Sequence, residues 1–305
     1  MRSRTKQPWW RGTFGRRLEP ALAWPHGVAD VSLRFVDSGG RKWRVCTAGP
    51  HGAPPVLLVH GWGASAYMYR AMIPPLVAAG YSLIIPDLPG HGWGDVTLER
   101  QHASVGAYVT ALRTLCDTLG VERMAVVGQS MGGGIALQLA LDHPERVAAL
   151  GLISPVGYTR PPAVTLARTA MPPATERILP WLARRATFAL ALRLSYGRLG
   201  RPTAADVDQY FAPTRDPAFA RALHTLLHTF EWNACDDGRA RTLRTPTVVI
   251  CGDADRLVNR RTPDCFARDV PHARIHRVQG GGHTLAEEVP AFVSSAIVSV
   301  LREVY

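Results

Sequence analysis

The feature that most constrains the fold is a regular alternation of two kinds of segment along the chain. Short aliphatic and β-branched runs, such as 56–59 and 124–127, are bounded by glycine and proline and alternate with longer segments of helical periodicity. The central runs are apolar at nearly every position, which is typical of parallel strands covered on both faces. The pattern therefore predicts an α/β fold, with a mostly parallel central sheet flanked by helices.

The alternation predicts eight strands and four core helices. Strands are predicted at 31–37, 41–48, 56–59, 83–85, 124–127, 149–153, 247–250 and 273–278, and helices at 67–79, 104–119, 130–142 and 285–302.

The alternation stops after Ile153, and residues 155–243 contain no convincing strand. Prolines there separate helical stretches near 175–197, 203–211 and 217–232. An insertion of about 85 residues is too long for an ordinary connection between strands, so it is predicted to be a helical lid subdomain. The expected organisation is a basic N-terminal arm at 1–30, a first core part at 31–154, the lid at 155–243 and a second core part at 244–305.

Composition excludes disordered and fibrous chains, because 47% of the 305 residues are hydrophobic and only 19% are charged. The net charge of +11 is uneven. Segment 1–44 has ten basic and three acidic residues, and segment 158–245 has thirteen and seven. Nearly all the basic residues are arginines, which is typical of a genomic base-composition bias. Attraction of an acidic partner is the open alternative. No nucleic-acid partner is predicted, because segments 45–157 and 246–305, which contain most of the core, carry no excess of positive charge.

Five widely spaced cysteines without a CxxC pair indicate neither a disulfide framework nor a zinc site. The N-terminus lacks the apolar region of a signal peptide, and no run of about 18 apolar residues occurs. A soluble, cytoplasmic protein without stable membrane insertion is expected.

The chemistry-bearing motif is Gly128-Gln129-Ser130-Met131-Gly132, between a predicted strand and a predicted helix. In this context G-x-S-x-G is typical of a nucleophile elbow, a sharp turn that exposes the serine hydroxyl. A serine nucleophile needs a base and an acid that orients the base. His283 follows one late strand, while Asp253 and Asp255 follow another. An oxyanion hole is predicted from the backbone N–H groups of Met131 and Trp62.

Together these motifs resemble the α/β-hydrolase superfamily, in the lid-bearing branch of carboxylesterases, lactonases, C–C bond hydrolases and epoxide hydrolases. The resemblance covers roughly 30–305, and the family's spacing from Gly252 selects Asp255 rather than Asp253 as the acid. The motifs are His60-Gly61-Trp62, Asp87-Leu88-Pro89-Gly90-His91-Gly92, Gly128 to Gly134, Asp142-His143-Pro144-Glu145-Arg146-Val147, Gly252 to Asp255, and Gly282-His283.

The resemblance implies a serine hydrolase that cleaves a small carboxylic ester or lactone through an acyl-serine, with no cofactor and no metal. Ser130 argues against epoxide hydrolases and dehalogenases, which have aspartate at the elbow. The loop after Gly61 and Thr284 after His283 differ from the C–C bond hydrolase pattern.

Several alternatives remain open. A C–C bond hydrolase, lyase, acyltransferase or perhydrolase would use the same fold. A non-catalytic binding or accessory protein could be built on a hydrolase scaffold. His224 and His228 lie four residues apart on a predicted helix, where a helix surface or a polar point facing the pocket is favoured over a metal site.

Overall fold

The computed structural model describes residues 23–158, 160–179, 184–235 and 237–305. Residues 1–22 of the predicted arm lie outside this range. The described strands form an eight-stranded sheet in the order β1-β2-β4-β3-β5-β6-β7-β8. They are β1 (Val31–Ser38), β2 (Arg41–Ala48), β3 (Pro55–Val59), β4 (Ser82–Pro86), β5 (Met124–Gln129), β6 (Val147–Ile153), β7 (Thr247–Gly252) and β8 (Arg274–Val278).

The sheet is antiparallel at one edge and parallel elsewhere. β1 pairs with β2 and β2 with β4 in antiparallel fashion, and the remaining neighbours are parallel. Every residue of β5, β6 and β7 is buried. This arrangement confirms the predicted α/β class.

Helices cover both faces of the sheet. Because successive strand residues point to opposite faces, Leu57 and Val59 contribute to one hydrophobic core, and Val56 and Leu58 to the other. Outside the β6–β7 connection the helices are α1 (Ile73–Ala78), α2 (Val105–Thr118), α3 (Met131–Asp142), α8 (Thr262–Asp269), α9 (Leu285–Glu288) and α10 (Pro290–Leu301).

Residues 154–246, named here the β6–β7 segment, contain no strand among their described residues. This agrees with the absence of a strand pattern after Ile153. The segment contains α4 (Pro162–Ala170), α5 (Arg185–Ser195), α6 (Ala204–Phe211) and α7 (Pro217–Thr229).

Prolines divide two of the predicted helices. The predicted helix 67–79 is a 3₁₀ turn at Ala66–Tyr69 followed by α1, which has prolines in its first turn. The predicted helix 285–302 is divided into α9 and α10 at Pro290. Proline has no N–H to donate and its ring crowds the preceding turn, so it is found in the first turn of a new helix.

A buried ion pair fixes the start of the loop that follows β4. Arg44 Nη1 lies 3.1 Å from Asp87 Oδ2, and both side chains are almost completely buried. The other carboxylate oxygen, Oδ1, accepts the Ala66 N–H at 2.7 Å, while Oδ2 also accepts the Trp93 N–H at 2.9 Å. Asp87 therefore holds two loops at the carboxyl edge of the sheet.

The turn from β5 into α3 brings backbone unusually close to backbone. A side-chain carbon at Gly132 would lie 2.0 Å from the Val59 carbonyl oxygen, and one at Gly128 would lie 2.2 Å from the Gly132 carbonyl oxygen. Both distances are far below van der Waals contact. Glycine is therefore required at both positions for α3 to begin directly beside β3.

We expect Arg44→Met to lower the free energy of unfolding by about 3 kcal/mol, because it leaves the Asp87 carboxylate buried without its cation. Arg41→Met is the matched control, since Arg41 forms a more exposed pair with Asp95 at 3.5 Å. Its effect is expected to be below about 1 kcal/mol. Urea unfolding measures both, and equal losses would contradict the assigned role of the buried pair.

We expect Gly132→Ala to destabilise the fold by about 3 kcal/mol, because the added methyl group overlaps the Val59 carbonyl. Gly106→Ala in α2 is the control, because a methyl group there meets no atom within 4 Å. Alanine also favours a helix by up to about 1 kcal/mol over glycine. A Gly132→Ala protein with wild-type thermal stability would rule out the close approach.

Candidate active site

Ser130 lies in a strained conformation between β5 and α3. Its φ of 56° and ψ of −119° are uncommon for a residue with a side chain. Its N–H donates to the Ile153 carbonyl at 3.0 Å, which anchors the turn to β6. The residue is 9% exposed. The chain therefore turns sharply from strand to helix at Ser130, at the carboxyl edge of the sheet.

His283 and Asp255 meet at the same edge. The His283 Nδ1 lies 2.8 Å from Asp255 Oδ2. The second carboxylate oxygen of Asp255, Oδ1, accepts the Leu257 N–H at 2.8 Å and the Val258 N–H at 3.1 Å. Because the carboxylate can only accept at neutral pH, Nδ1 carries the proton and Nε2 is left as the basic nitrogen.

The surroundings of Asp255 keep it ionised. Burial alone raises the pKa of Asp255, but the neighbouring His283 and the hydrogen bonds from His283, Leu257 and Val258 lower it by more. The net result is a pKa below the ordinary value of 3.8. A negative charge is therefore fixed beside the imidazole.

Asp253, the other acid considered at this strand end, has a different partner. Its Oδ1 accepts the Gly280 N–H at 2.7 Å, on the loop that leads to His283. The structure therefore pairs His283 with Asp255.

The elbow is tied to the histidine loop by its second residue. Gln129 Nε2 donates to the His283 carbonyl oxygen at 3.0 Å, and Gln129 is completely buried. No hydrogen bond joins the Ser130 hydroxyl to the His283 ring in the part of the chain that the structure describes. Such bonds often tighten only when substrate is bound.

The predicted oxyanion-hole loop packs against the elbow. A side-chain carbon at Gly61 would lie 3.1 Å from the Ser130 Cβ and 3.8 Å from its Oγ. The amides of Trp62 and Met131 donate no hydrogen bond to a described residue. Met131 is the first residue of α3, where an N–H has no partner within the helix.

His60 connects this loop to the one that follows β4. Its Nε2 accepts the Leu88 N–H at 2.9 Å and its Nδ1 donates to the Gly61 carbonyl at 2.8 Å. Burial lowers the pKa of His60, so the neutral ring is favoured. His60 thus serves as a structural bridge between two loops.

The β6–β7 segment binds the histidine loop through backbone and a carboxylate. The His283 N–H donates to the Ser195 carbonyl at 2.7 Å, and the Arg198 N–H donates to the Gly280 carbonyl at 2.7 Å. Glu288 accepts the Gly197 N–H at 2.8 Å and the Gly282 N–H at 3.0 Å. The contacts between the β6–β7 segment and this loop were not predicted from the sequence, because they join residues that are 82 to 91 positions apart.

The same segment contacts the opposite side of the site. Trp62 Nε1 donates to the Leu223 carbonyl of α7 at 3.2 Å. The Trp62 ring packs edge-on against Trp232 with ring centroids 6.1 Å apart. The segment therefore contacts both the loop of Trp62 and the loop of His283.

His224 and His228 are neighbours with ring centroids 4.7 Å apart. Each Nε2 lies within hydrogen-bond distance of a backbone carbonyl, of Pro172 at 3.2 Å and of Met171 at 2.8 Å. Across the described ranges no group of three or more His, Cys, Asp or Glu side chains is arranged to hold a metal ion. His224 is buried and both rings bond backbone carbonyls of the β6–β7 segment, so the helix-surface interpretation does not fit His224, which packs inside the segment.

Comparison with known proteins identifies relatives over most of the chain. Over 289 residues the chain is 33% identical to the magnesium-chelatase 30 kDa subunit of Rhodobacter capsulatus, covering 92% of this chain and 96% of that protein. It is 26% identical over 312 residues to epoxide hydrolase A of Mycobacterium tuberculosis, covering 88% and 96% of the two chains.

Solved structures show the same fold. The crystal structure of a membrane phospholipase A superposes with a TM-score of 0.78 at 22% identity, covering 91% of this chain and 88% of that one. Epoxide hydrolase A from Mycobacterium thermoresistibile gives a TM-score of 0.71 at 24% identity, covering 90% and 99%. A family model described as alpha/beta hydrolase fold matches residues 54–290. The chain therefore belongs to the α/β-hydrolase fold family.

Proposed function

We propose that the protein is a serine hydrolase that cleaves a carboxylic ester or lactone through an acyl-serine intermediate. The observation that carries this proposal is the His283–Asp255 hydrogen bond at the sheet edge where Ser130 is held in its strained turn. A serine rather than an aspartate at this turn separates the chain from the expected chemistry of epoxide hydrolases and haloalkane dehalogenases, although proteins with those names are among its relatives.

In the proposed mechanism His283 Nε2 takes the proton of Ser130 as Oγ attacks the substrate carbonyl carbon. The ionised Asp255 holds the ring in the required tautomer and stabilises the imidazolium. His283 then protonates the leaving alcohol, which departs and leaves an acyl-serine. Water, deprotonated by the same ring, attacks the acyl carbon and releases the acid and the free serine.

The N–H groups of Trp62 and Met131 would stabilise the tetrahedral oxyanion. Both amides lack a described acceptor, and Met131 stands at the positive end of the α3 dipole. Hydrogen-bond donors that are already oriented are worth at least about 10²-fold in rate.

We also propose that the β6–β7 segment, within its predicted extent of 155–243, acts as a lid over Ser130. Its contacts with Trp62 on one side and with His283 on the other support this role. The substrate is then a small molecule bound between this lid and the sheet edge.

Ser130→Ala is expected to abolish hydrolysis of a short p-nitrophenyl ester and labelling by a fluorophosphonate probe, because no nucleophile remains. Thr284→Ala, one residue beyond His283, is the control and should keep most of the labelling. Undiminished ester turnover by a folded Ser130→Ala protein would overturn the proposed nucleophile.

Asp255→Asn is expected to lower kcat by about 10³- to 10⁴-fold, because the ring loses its orienting charge. Asp253→Asn is the matched control and should stay near wild type, since among the described residues the Asp253 carboxylate accepts the Gly280 N–H rather than a His283 nitrogen. A reversed ranking would assign the acid to Asp253.

The pH dependence of stability gives a further test of Asp255, with wild type compared to Asp255→Asn. The folded-state pKa of Asp255 is lowered, so its stabilising contribution is complete above 3.8 and is lost as pH falls through the folded value. The difference in free energy of unfolding between wild type and Asp255→Asn should therefore shrink on acidification. A difference that grows below pH 3.8 would contradict the assigned ionised state.

A second candidate function is an accessory subunit of a magnesium chelatase. The observation that favours it is the 33% identity with the Rhodobacter capsulatus subunit over nearly the whole of both chains. It corresponds to the alternative of an accessory protein built on a hydrolase scaffold. The Ser130→Ala variant separates the two functions, because an accessory role by binding alone would survive loss of the hydroxyl in a magnesium-insertion assay.

A further inference from the structure

The outer face of α5 carries large aliphatic side chains that no described residue covers. Leu190 is 60% exposed and Leu194 is 45% exposed, and Leu199 just beyond the helix is 46% exposed. The opposite face of the helix is already occupied, since Phe188 packs against Phe211 with ring centroids 5.9 Å apart. The exposed leucines are therefore surplus to the packing of α5 on the described part of the chain.

Arginines alternate with these leucines along the chain, between Glu176 on one side and Asp206 on the other. Residues 177–205 contain six arginines and neither aspartate nor glutamate. Arg184, Arg198 and Arg201 are exposed and form no ion pair with a described residue. Arg185 is the exception, since its Nε lies 2.6 Å from Asp208 Oδ1. The surface is thus both apolar and strongly cationic.

We propose that this surface, formed by α5 and the residues up to Arg201, docks the protein on an anionic lipid bilayer. Leucines between arginines match the layering of a membrane surface, where aliphatic groups enter the acyl boundary and guanidinium groups pair with lipid phosphates. No helix in the described ranges is long and apolar enough to cross a membrane. In the proposed attachment α5 lies in the plane of the interface.

Charge argues against the protein's own N-terminal segment as the occupant of this surface. Residues 1–22 contain six basic residues and one acidic residue, so they repel the arginines of α5. An anionic bilayer both pairs with the arginines and buries the leucines, whereas an acidic protein segment only pairs with the arginines.

The test is co-sedimentation of the full-length protein with vesicles of phosphatidylcholine alone or with about 30% phosphatidylglycerol. Wild type should sediment with the anionic vesicles and should not bind the vesicles of phosphatidylcholine alone. Arg184→Gln/Arg198→Gln should weaken binding by at least about tenfold, because each arginine near an anionic surface contributes about fivefold. Leu190→Ser/Leu194→Ser should also weaken it by about tenfold, and this loss should persist at high salt.

Matched controls lie on the core and on the N-terminal segment. Phe35→Ser removes a 44% exposed aromatic from β1, and Arg34→Gln/Arg123→Gln removes two exposed core charges. Both should bind as wild type does, as should Arg16→Gln/Arg17→Gln. Ser130→Ala should also bind normally, so that failure of the proposed hydrolase chemistry leaves this test intact.

Absence of vesicle binding by wild type would overturn the proposal. Equal losses of vesicle binding in the core controls would show that binding depends only on net charge. A loss confined to Arg16→Gln/Arg17→Gln would show that the N-terminal segment, not α5, binds the vesicles. Tight binding of poly-glutamate that is unaffected by Leu190→Ser/Leu194→Ser, with weak vesicle binding, would assign the surface to an acidic protein instead. Circular dichroism of each variant verifies that it is folded.

Discussion

The contact between α3 and the end of β3 is the constraint on which the rest of the site depends. At Gly132 the helix backbone lies so close to the Val59 carbonyl that a single methyl group cannot be accommodated. This closeness makes the chain reverse direction within one residue, and that residue is Ser130, with its positive φ. It also places the free amide of Met131 beside the serine. If α3 began farther from β3, the Ser130 hydroxyl would lie farther from the Met131 N–H that is proposed to stabilise the oxyanion.

The remaining groups are added by loops that are each fixed twice. The loop of Trp62 is held at two points. His60 accepts the Leu88 N–H, and the Trp62 indole donates to the Leu223 carbonyl of the β6–β7 segment. The loop of His283 is held by Gln129 of the elbow and by Ser195 of the same segment. Polar side chains and backbone amides, rather than hydrophobic packing alone, therefore define the positions of the proposed catalytic groups.

The sequence was sufficient to predict the sheet and the sharp turn at Ser130. Asp255 is favoured over Asp253 only by the family's spacing from Gly252, and its catalytic role stays a prediction, while the structure places its carboxylate beside His283. Each of these leaves a local trace, such as an apolar run, two glycines flanking a serine, or an acid at a fixed distance from Gly252. The break at Pro290 was also readable locally but was missed. Glu288 and Ser195 had no such trace, because their partners lie in a segment that is remote along the chain.

Ser195 connects two parts of the molecule. It is the last residue of α5, whose outer face carries the exposed leucines, and its carbonyl accepts the His283 N–H. A ligand of the outer face that displaced this helix end would also break the bond that holds the His283 amide. In that case thermodynamic reciprocity would make binding beside Ser130 change the affinity of the outer face by the same factor. The short backbone pairing between residues 195–198 and 280–283 thus connects the outer face of α5 directly to the loop of His283.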